Sequence, residues 1–433
     1  YLMNTVYENT IHKTLGDNSI LGSLKKNFVN LWNSIKIIKY SSNCNSKIIG
    51  NTIPHAGFEY SGLIGLFSIA DLFYESQYNT NEITILWFKH SLHTEYEHSL
   101  KNVIDLCYLL FPHIKINNIY IDYNSRLENL EIKPPILIST DFSHHNYCIS
   151  KKNLYEVWRN DNISFNLAIR NEFKKIEDKP CGNEPLRIYK EWIKKNKYQI
   201  SLNGYSNSTD KNNWWKSFEN VNFSGVTYAI LSTILDYNNN WFSNLQSKLL
   251  AYSHLKWVED YLLDIEINND GLLWSPLNYK IGSCFVSISD SDNNTISCYG
   301  SWENNNSNLL DLMKKATNLV KNNSWNNNPP ISKNILEQYK NFIITINLIE
   351  PIHRWKKIHS ITEKNRGYVF LKKKSNESKE NKIGMTFIPS VWDNIKDEQE
   401  FYFHLMNKHK NVYNDISDWD LFMYESISWT RII

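Results

Sequence analysis

Three apolar runs in the first third of the chain each end in side chains that can hold a metal ion or move a proton. Lys47 to Ile53 (KIIGNTI) hands over to Pro54-His55-Ala56-Gly57-Phe58-Glu59-Tyr60-Ser61-Gly62. Ile83 to Phe88 ends at Lys89-His90, with Glu97-His98-Ser99-Leu100 a short way on. Pro135 to Thr140 ends at Asp141-Phe142-Ser143-His144-His145. Seven of the 13 histidines fall in this one segment, which is more than even spacing would give it. Imidazoles from separate strand ends, completed by an anionic donor, are the usual way to assemble a mononuclear transition-metal site. The third donor is open at this point: Asp141, Glu97 or the thiolate of Cys181. That cysteine lies in Asp178-Lys179-Pro180-Cys181-Gly182-Asn183-Glu184-Pro185, a Pro/Gly-rich loop ahead of a helix, and a helix N-terminus lowers a thiol pKa. Plainer roles also stay open: His55 capping its turn, Asp141 as a helix N-cap, Cys181 as a buried loop thiol, and Glu97 and His98 in helix-start hydrogen bonds.

The elements that must position these groups read as strands alternating with helices. Behind His55, apolar residues recur at helical spacing: Leu63, Leu66, Phe67, Ala70 and Phe73. Behind Glu97, Leu100, Val103, Ile104, Cys107 and Phe111 do the same, and Pro112 stops the run. A further strand spans Ile114 to Ile121, and an earlier helix Leu21 to Ile38. Such alternation predicts an α/β layered domain, whose ligands bind at the carboxyl ends of parallel strands.

The totals narrow the function. With 47 basic against 45 acidic residues the net charge is +2, too balanced for a nucleic-acid footprint. No apolar run reaches the roughly 18 residues of a membrane helix, and the first residues lack the basic start and apolar core of a secretory signal. The expected setting is the cytoplasm, or the nucleus. The six cysteines include no Cys-x-x-Cys pair, which argues against a zinc finger, and reduced thiols are expected.

On PHAGFEYSG, EHSL, STDFSHH and PCGNEP, taken in that order, residues 1–236 resemble the MEMO family. That family carries Pro-His-Ala-Gly-Tyr-x-Tyr-x-Gly, Glu-His-Ser, Ser-Ser-Asp-Phe-x-His and Cys-Gly-x-x-Pro segments. Gly225-Val226-Thr227-Tyr228-Ala229 is similar to its closing strand. Trp87-Phe88-Lys89 stands where the family has Gly-Pro-Ser before its histidine, and the gap from His90 to Glu97 is shorter than the family's. The resemblance implies a fold like the class III extradiol dioxygenases and a ligand set of His55, His90 and Cys181. It also implies Asp141 and His144 as acid–base groups beside the metal, with Glu97 and His98 in the site wall. A thiolate favours Fe(II), or Cu, over Mg or Ca.

After a linker at 237–240, residues 241–433 read as a second, α+β domain, because strands and helices intersperse without a βαβ rhythm. Ser283 to Asp290 alternates as a half-buried strand, SDSDNN turns the chain, and Thr295 to Ser301 returns. A helix over Leu309 to Val320, a strand over Phe342 to Ile349, two strands flanking KKKSNESKENK, and a helix over Asp397 to Lys408 follow. GSCFVSI, ISCYGS, FIITINLIEPI and above all Phe387-Ile388-Pro389-Ser390-Val391-Trp392 resemble the AMMECR family. Ile296-Ser297 replaces that family's Arg-Gly, while Cys298 and Gly300 remain. Cys298 reads either as a nucleophile or persulfide carrier, or as a small residue packed at a tight turn.

Together the resemblances imply a MEMO–AMMECR fusion acting in redox chemistry on a small organic or peptidyl substrate. The alternative, of a different class, is a non-catalytic adaptor that holds a phosphopeptide in the histidine cleft. A third places the chain as an accessory subunit beside a radical SAM partner protein.

Overall fold

The computed structural model describes residues 20–40, 47–56, 58–75, 81–89, 98–141, 143–145, 182–207, 225–235, 245, 248–265, 281–302, 309–324, 328–339, 341–361, 363–364, 366–372, 383–388, 391–392, 395–410 and 417–433. The protein is mixed α/β and falls into two compact units. The first comprises Tyr1–Ile38, Cys44–Tyr261 and Ile265–Leu277, and the second Lys39–Asn43, Leu262–Asp264 and Asn278–Ile433. The main division follows Tyr261, beyond the 237–240 segment read as a linker, which lies outside the described residues.

Counting strands along the chain, β1 (Lys39–Tyr40) belongs to the second unit. The first unit holds β2 (Lys47–Ile53), β3 (Glu82–Trp87), β4 (Lys115–Tyr120), β5 (Ile136–Ser139), β6 (Ser143–His145), β7 (Gln199–Asn207) and β8 (Gly225–Leu235). Its sheet runs β4-β3-β5-β2-β8-β6, with β7 also on β8. The pairs β3–β4, β3–β5 and β2–β5 are parallel, while β8 is antiparallel to β2, β6 and β7. The carboxyl ends of β2, β3 and β5 therefore share one edge. Thr227 of β8 pairs with Ser143 on one side and Asn207 on the other, and Ser232 with Asn51 and Ser201. So β6 and β2 border the same side of β8, with β6 beyond the end of β2.

Helices cover both faces. The first two, α1 (Ile20–Ile35) and α2 (Phe58–Ala70), meet through the rings of Phe28 and Phe67, 5.2 Å apart. Apolar nearly all round, α2 packs on α1, on α3 (His98–Leu110) and on the sheet, as a helix without a polar face must. On the opposite face lies α4 (Asn183–Asn196): its Tyr189 reaches Gly50, whose neighbours Asn51 and Ile53 face α2. The ladder between β2 and β8 ends at Asn51, and the Thr52 hydroxyl takes over. It donates to the Ala229 carbonyl and accepts the Leu231 N–H, both at 2.8 Å. Helix α5 (Lys248–Leu262) is the last long element of this unit.

Among its described residues the second unit has two antiparallel sheets. One runs β1-β16-β11-β9-β10, with β9 (Ser283–Asp290), β10 (Thr295–Trp302), β11 (Phe342–Ile349) and β16 (Ser426–Ile432). The other runs β12-β15-β13-β14, with β12 (Lys356–Ile358), β13 (Gly367–Lys372), β14 (Ile383–Phe387) and β15 (Trp419–Tyr424). Helix α6 (Leu309–Asn322) buries Leu309, Leu312, Met313, Ala316 and Val320, one stripe at helical spacing, against β9 and β10. Helix α7 (Glu398–Lys410) buries Phe401 and Leu405 with Tyr368, Phe370 and Trp419. Trp392, from the segment resembling the AMMECR family, stacks on Phe401 at 4.1 Å and donates its indole N–H to the Arg366 carbonyl. No helix among the described residues is long and apolar enough to cross a membrane.

One buried group makes stability depend on acid. His254 on α5 is 1% exposed and donates from Nδ1 to the Leu250 carbonyl at 2.7 Å. Burial lowers its pKa to about 4, the hydrogen bond opposing this. An unfolded histidine titrates near pH 6.5, so stability is full above that and falls as pH drops from about 6.5 towards 4, by up to about 3 kcal/mol. Urea unfolding followed by tryptophan fluorescence at pH 7 and pH 4.5 should find a smaller acid loss in His254→Gln than in the native chain.

Candidate functional site

The shared edge of β2, β3 and β5 is tied together by a chain of hydroxyl hydrogen bonds through the first turn of α3. Ser99 is fully buried there; its hydroxyl donates to the Phe88 carbonyl, just past β3. The Ser99 carbonyl accepts the hydroxyl of Ser139, the last residue of β5. Ser139 Oγ lies 2.9 Å from Nδ1 of His55, two residues past β2. A serine hydroxyl has one proton, and here it goes to Ser99. The His55 contact must then be donated by the ring, so Nδ1 carries the proton and Nε2 presents its lone pair in the neutral imidazole.

That lone pair faces a carboxylate: Nε2 is 3.6 Å from Asp141 Oδ2. That contact becomes attractive when a positive charge lies on or beside the ring. A second ring proton would make an imidazolium–carboxylate pair, and a metal cation near Nε2 would serve as well. His55 and Asp141 are 2% and 3% exposed, so solvent does little to damp either effect.

The backbone of His55 is held as firmly as its ring. Its N–H donates to Asp141 Oδ1 at 2.9 Å. Asn102, one helical turn after Ser99, donates from Nδ2 to the carbonyls of His55 at 2.8 Å and Ala56 at 3.2 Å. Ser61 Oγ donates to the Ala56 carbonyl at 2.9 Å. Asp141 therefore works as a link between strand ends, followed by β6 rather than by a helix it could cap. Phe88 sets its ring edge-on to His55, 5.7 Å between centroids. It belongs to Trp87-Phe88-Lys89, the stretch that stands where the resembled family has Gly-Pro-Ser.

The start of α4 lies against the same edge. Gly182 caps α4 with φ +93°, a left-handed conformation that favours glycine. A Cβ there would come 2.6 Å from the Ser139 carbonyl oxygen and 2.9 Å from the Phe88 ring. The chain thus enters α4 in direct contact with the ends of β3 and β5. Cys181, one peptide earlier, lies outside the described residues, as do His90 and Glu97. His98 opens α3, and His144 sits in β6 with Val226 as its backbone partner; their side chains are likewise outside the description. Of the expected site residues, His55 and Asp141 are thus placed together in full. Among the described residues no group of three His, Cys, Asp or Glu side chains converges closely enough to hold a metal.

Cys298 occupies the other unit, half-buried on β10. Ser287 Oγ donates to its sulfur at 3.0 Å. Burial pushes its pKa up, while the Ser287 hydrogen bond and the Lys408 ammonium pull the other way. The net rise leaves a thiol, unlike the depressed pKa of a reactive cysteine.

Ser99, Asn102 and Ser139 carry this geometry, and none stood out in the sequence as a functional residue. Ser99 and Ser139 lie in the EHSL and STDFSHH stretches and Asn102 two residues past the first, but serine and asparagine are common, and only the fold tells which hydroxyl meets which ring. Ser139→Ala removes the acceptor of His55 Nδ1 and the donor to Ser99, and should cost about 1–3 kcal/mol. Gly182→Ala should cost a similar amount, about 1–3 kcal/mol, through backbone strain and the carbonyl clash. Denaturant titration of each variant checks both, and nitrogen NMR of the imidazoles should find His55 protonated at Nδ1 when neutral.

No protein-family model matches this chain, and no curated protein is significantly similar to it. Among solved structures it is similar to the crystal structure of an uncharacterized protein from Pyrococcus horikoshii, at 13% identity over 42% of this chain and 88% of that one. The TM-score is 0.29, too low to carry an argument about fold or function.

Proposed function

We propose that the first unit is a MEMO-like non-haem metal centre serving redox chemistry on a small organic or peptidyl substrate. In this reading the chain is a MEMO–AMMECR fusion, its second unit of AMMECR type. The observation that supports the centre most is the fixed tautomer of His55, whose Nε2 lone pair faces the Asp141 carboxylate at 3.6 Å. Its chemistry suits a cation: a nitrogen lone pair, a nearby carboxylate and a dry surrounding. His55, His90 and Cys181 would hold Fe(II) or Cu, which when bound supplies a redox-active Lewis acid.

The chain's own groups have separable tasks. Ser139 fixes the His55 ring, and the relay through Ser99 fixes Ser139. Asp141 holds the His55 backbone with one oxygen and puts negative charge beside the ring with the other. That charge favours a cation at Nε2. His144, on the strand bordering the same edge, would move a proton to or from substrate, with Asp141 orienting it. Glu97 and His98 would line the wall, and Phe88 would limit the size of what enters.

Elemental analysis of protein purified without oxygen tests this. Native protein should carry near-stoichiometric iron or copper, and Cys181→Ala and His55→Ala should lose it. Ser139→Ala, which touches no metal, should weaken metal affinity by about 10–100-fold, the usual effect of removing a group that orients a ligand. If native protein carries no iron or copper and takes up neither on loading, the metal reading fails. The adaptor reading, in which the same cleft holds a phosphopeptide, would then stand in its place.

A further inference from the structure

The second unit contains a charged cleft where the chain twice crosses between its two sheets. At one crossing β11 leaves the larger sheet and, through Glu350 to Trp355, becomes β12 of the smaller. At the other, β15 of the smaller sheet becomes β16 of the larger with only Glu425 between them. The cleft formed there measures about 260 Å³ and is lined by Glu350, Arg354, Lys356, Arg366, Met423, Tyr424 and Glu425. Beneath the lining the buried Tyr424 ring lies over Gly367, where a Cβ would sit 2.1 Å from it.

Much of this charge has a structural task. The Glu350 N–H donates to the Glu425 carbonyl at 3.1 Å, and the Glu425 N–H to Glu350 Oε1 at 2.9 Å. Arg354 Nε donates to Glu350 Oε2 at 3.2 Å. Arg366 pairs through Nε with Glu363 at 3.1 Å and through a terminal amino group with Glu425. These contacts use three of the four carboxylate oxygens on the lining. They do not use its cations fully. Among the described residues, both terminal amino groups of Arg354, one of Arg366, and the whole ammonium of Lys356 have no protein partner. The lining carries three cations and two carboxylates, and Arg366 also pairs with Glu363 beside it, so what the cleft has in surplus is hydrogen-bond donors rather than net charge.

We infer that this cleft is a binding site for a small organic phosphate. Spare donors from three separate side chains suit an oxyanion with several terminal oxygens, and arginine forks match phosphoryl geometry. A phosphomonoester offers three strong acceptor oxygens against the two of a carboxylate, and so can take more of the spare donors. The cleft is larger than one phosphoryl group, which leaves room for an organic part. The volume is just below that of drug-sized sites, which are about 300–1,000 Å³. The site is independent of the metal centre and stands or falls apart from it.

Isothermal titration of the full chain with phenyl phosphate, inorganic phosphate and benzoate tests the assignment. Phenyl phosphate should bind saturably, inorganic phosphate should compete with it, and benzoate should bind at least about tenfold more weakly, a difference of about 1.4 kcal/mol. Lys356→Gln touches no structural contact and should weaken phenyl phosphate about tenfold, while Lys357→Gln, on the neighbouring position of β12, should leave it within about twofold. Arg354→Gln should weaken it at least as much as Lys356→Gln. No saturable binding, equal binding of benzoate, or unchanged affinity in Lys356→Gln would each overturn the proposal.

Discussion

The first unit is organised around where one proton goes. Ser139 gives its hydroxyl hydrogen to the Ser99 carbonyl, and so can only accept from His55. That fixes the tautomer, and the tautomer fixes which ring nitrogen has a lone pair to offer. The same chain of contacts joins the ends of three parallel strands, because Ser99 also bonds to the Phe88 carbonyl past β3. Each such bond is worth only about 0.5–1.5 kcal/mol net, but leaving any member buried and unpaired costs more. The arrangement is therefore held by the penalty for breaking it. Local stability and chemical readiness come from the same atoms.

The second unit meets a related constraint by other means. Where its strands cross from one sheet to the other, backbone groups leave their ladders and need new partners. Glu350 and Glu425 supply them to each other, and two arginines neutralise the carboxylates. Trp355 joins in by donating its indole N–H to the Glu350 carbonyl at 2.9 Å. Cations brought in to settle a corner retain donors beyond those the corner consumes. A solvent-facing cleft results, where charge placed for folding can meet a ligand.

Much of the architecture was legible in the sequence. The strands β2, β9 and β11 coincide with runs of apolar or alternating residues from their first residue to their last. The helices α3, α6 and α7 lie within two residues of their expected bounds, because helical periodicity and stop residues marked them. Other elements left little trace. β15 and β16 are separated by Glu425 alone, with no glycine or proline to punctuate them. β7 (QISLNGYSN) is too polar to read as a strand until β8 is there to pair with it. At the site, His55 and Asp141 at two strand ends were visible, and the serines that orient the ring were not. Ser139 is 84 positions from His55 and Ser99 is 40 from Ser139, so both contacts exist only once the sheet has formed. Glu350 and Glu425 are likewise 75 positions apart.

The central claim is that His55 offers Nε2 to a metal shared with Cys181. X-ray absorption at the iron or copper edge of metal-loaded protein reads the donor atoms directly. The account predicts a shell containing one sulfur together with imidazole nitrogens. The sulfur contribution should vanish in Cys181→Ala, and the imidazole contribution should shrink in His55→Ala. A shell of oxygen donors only, unchanged in both variants, would contradict it.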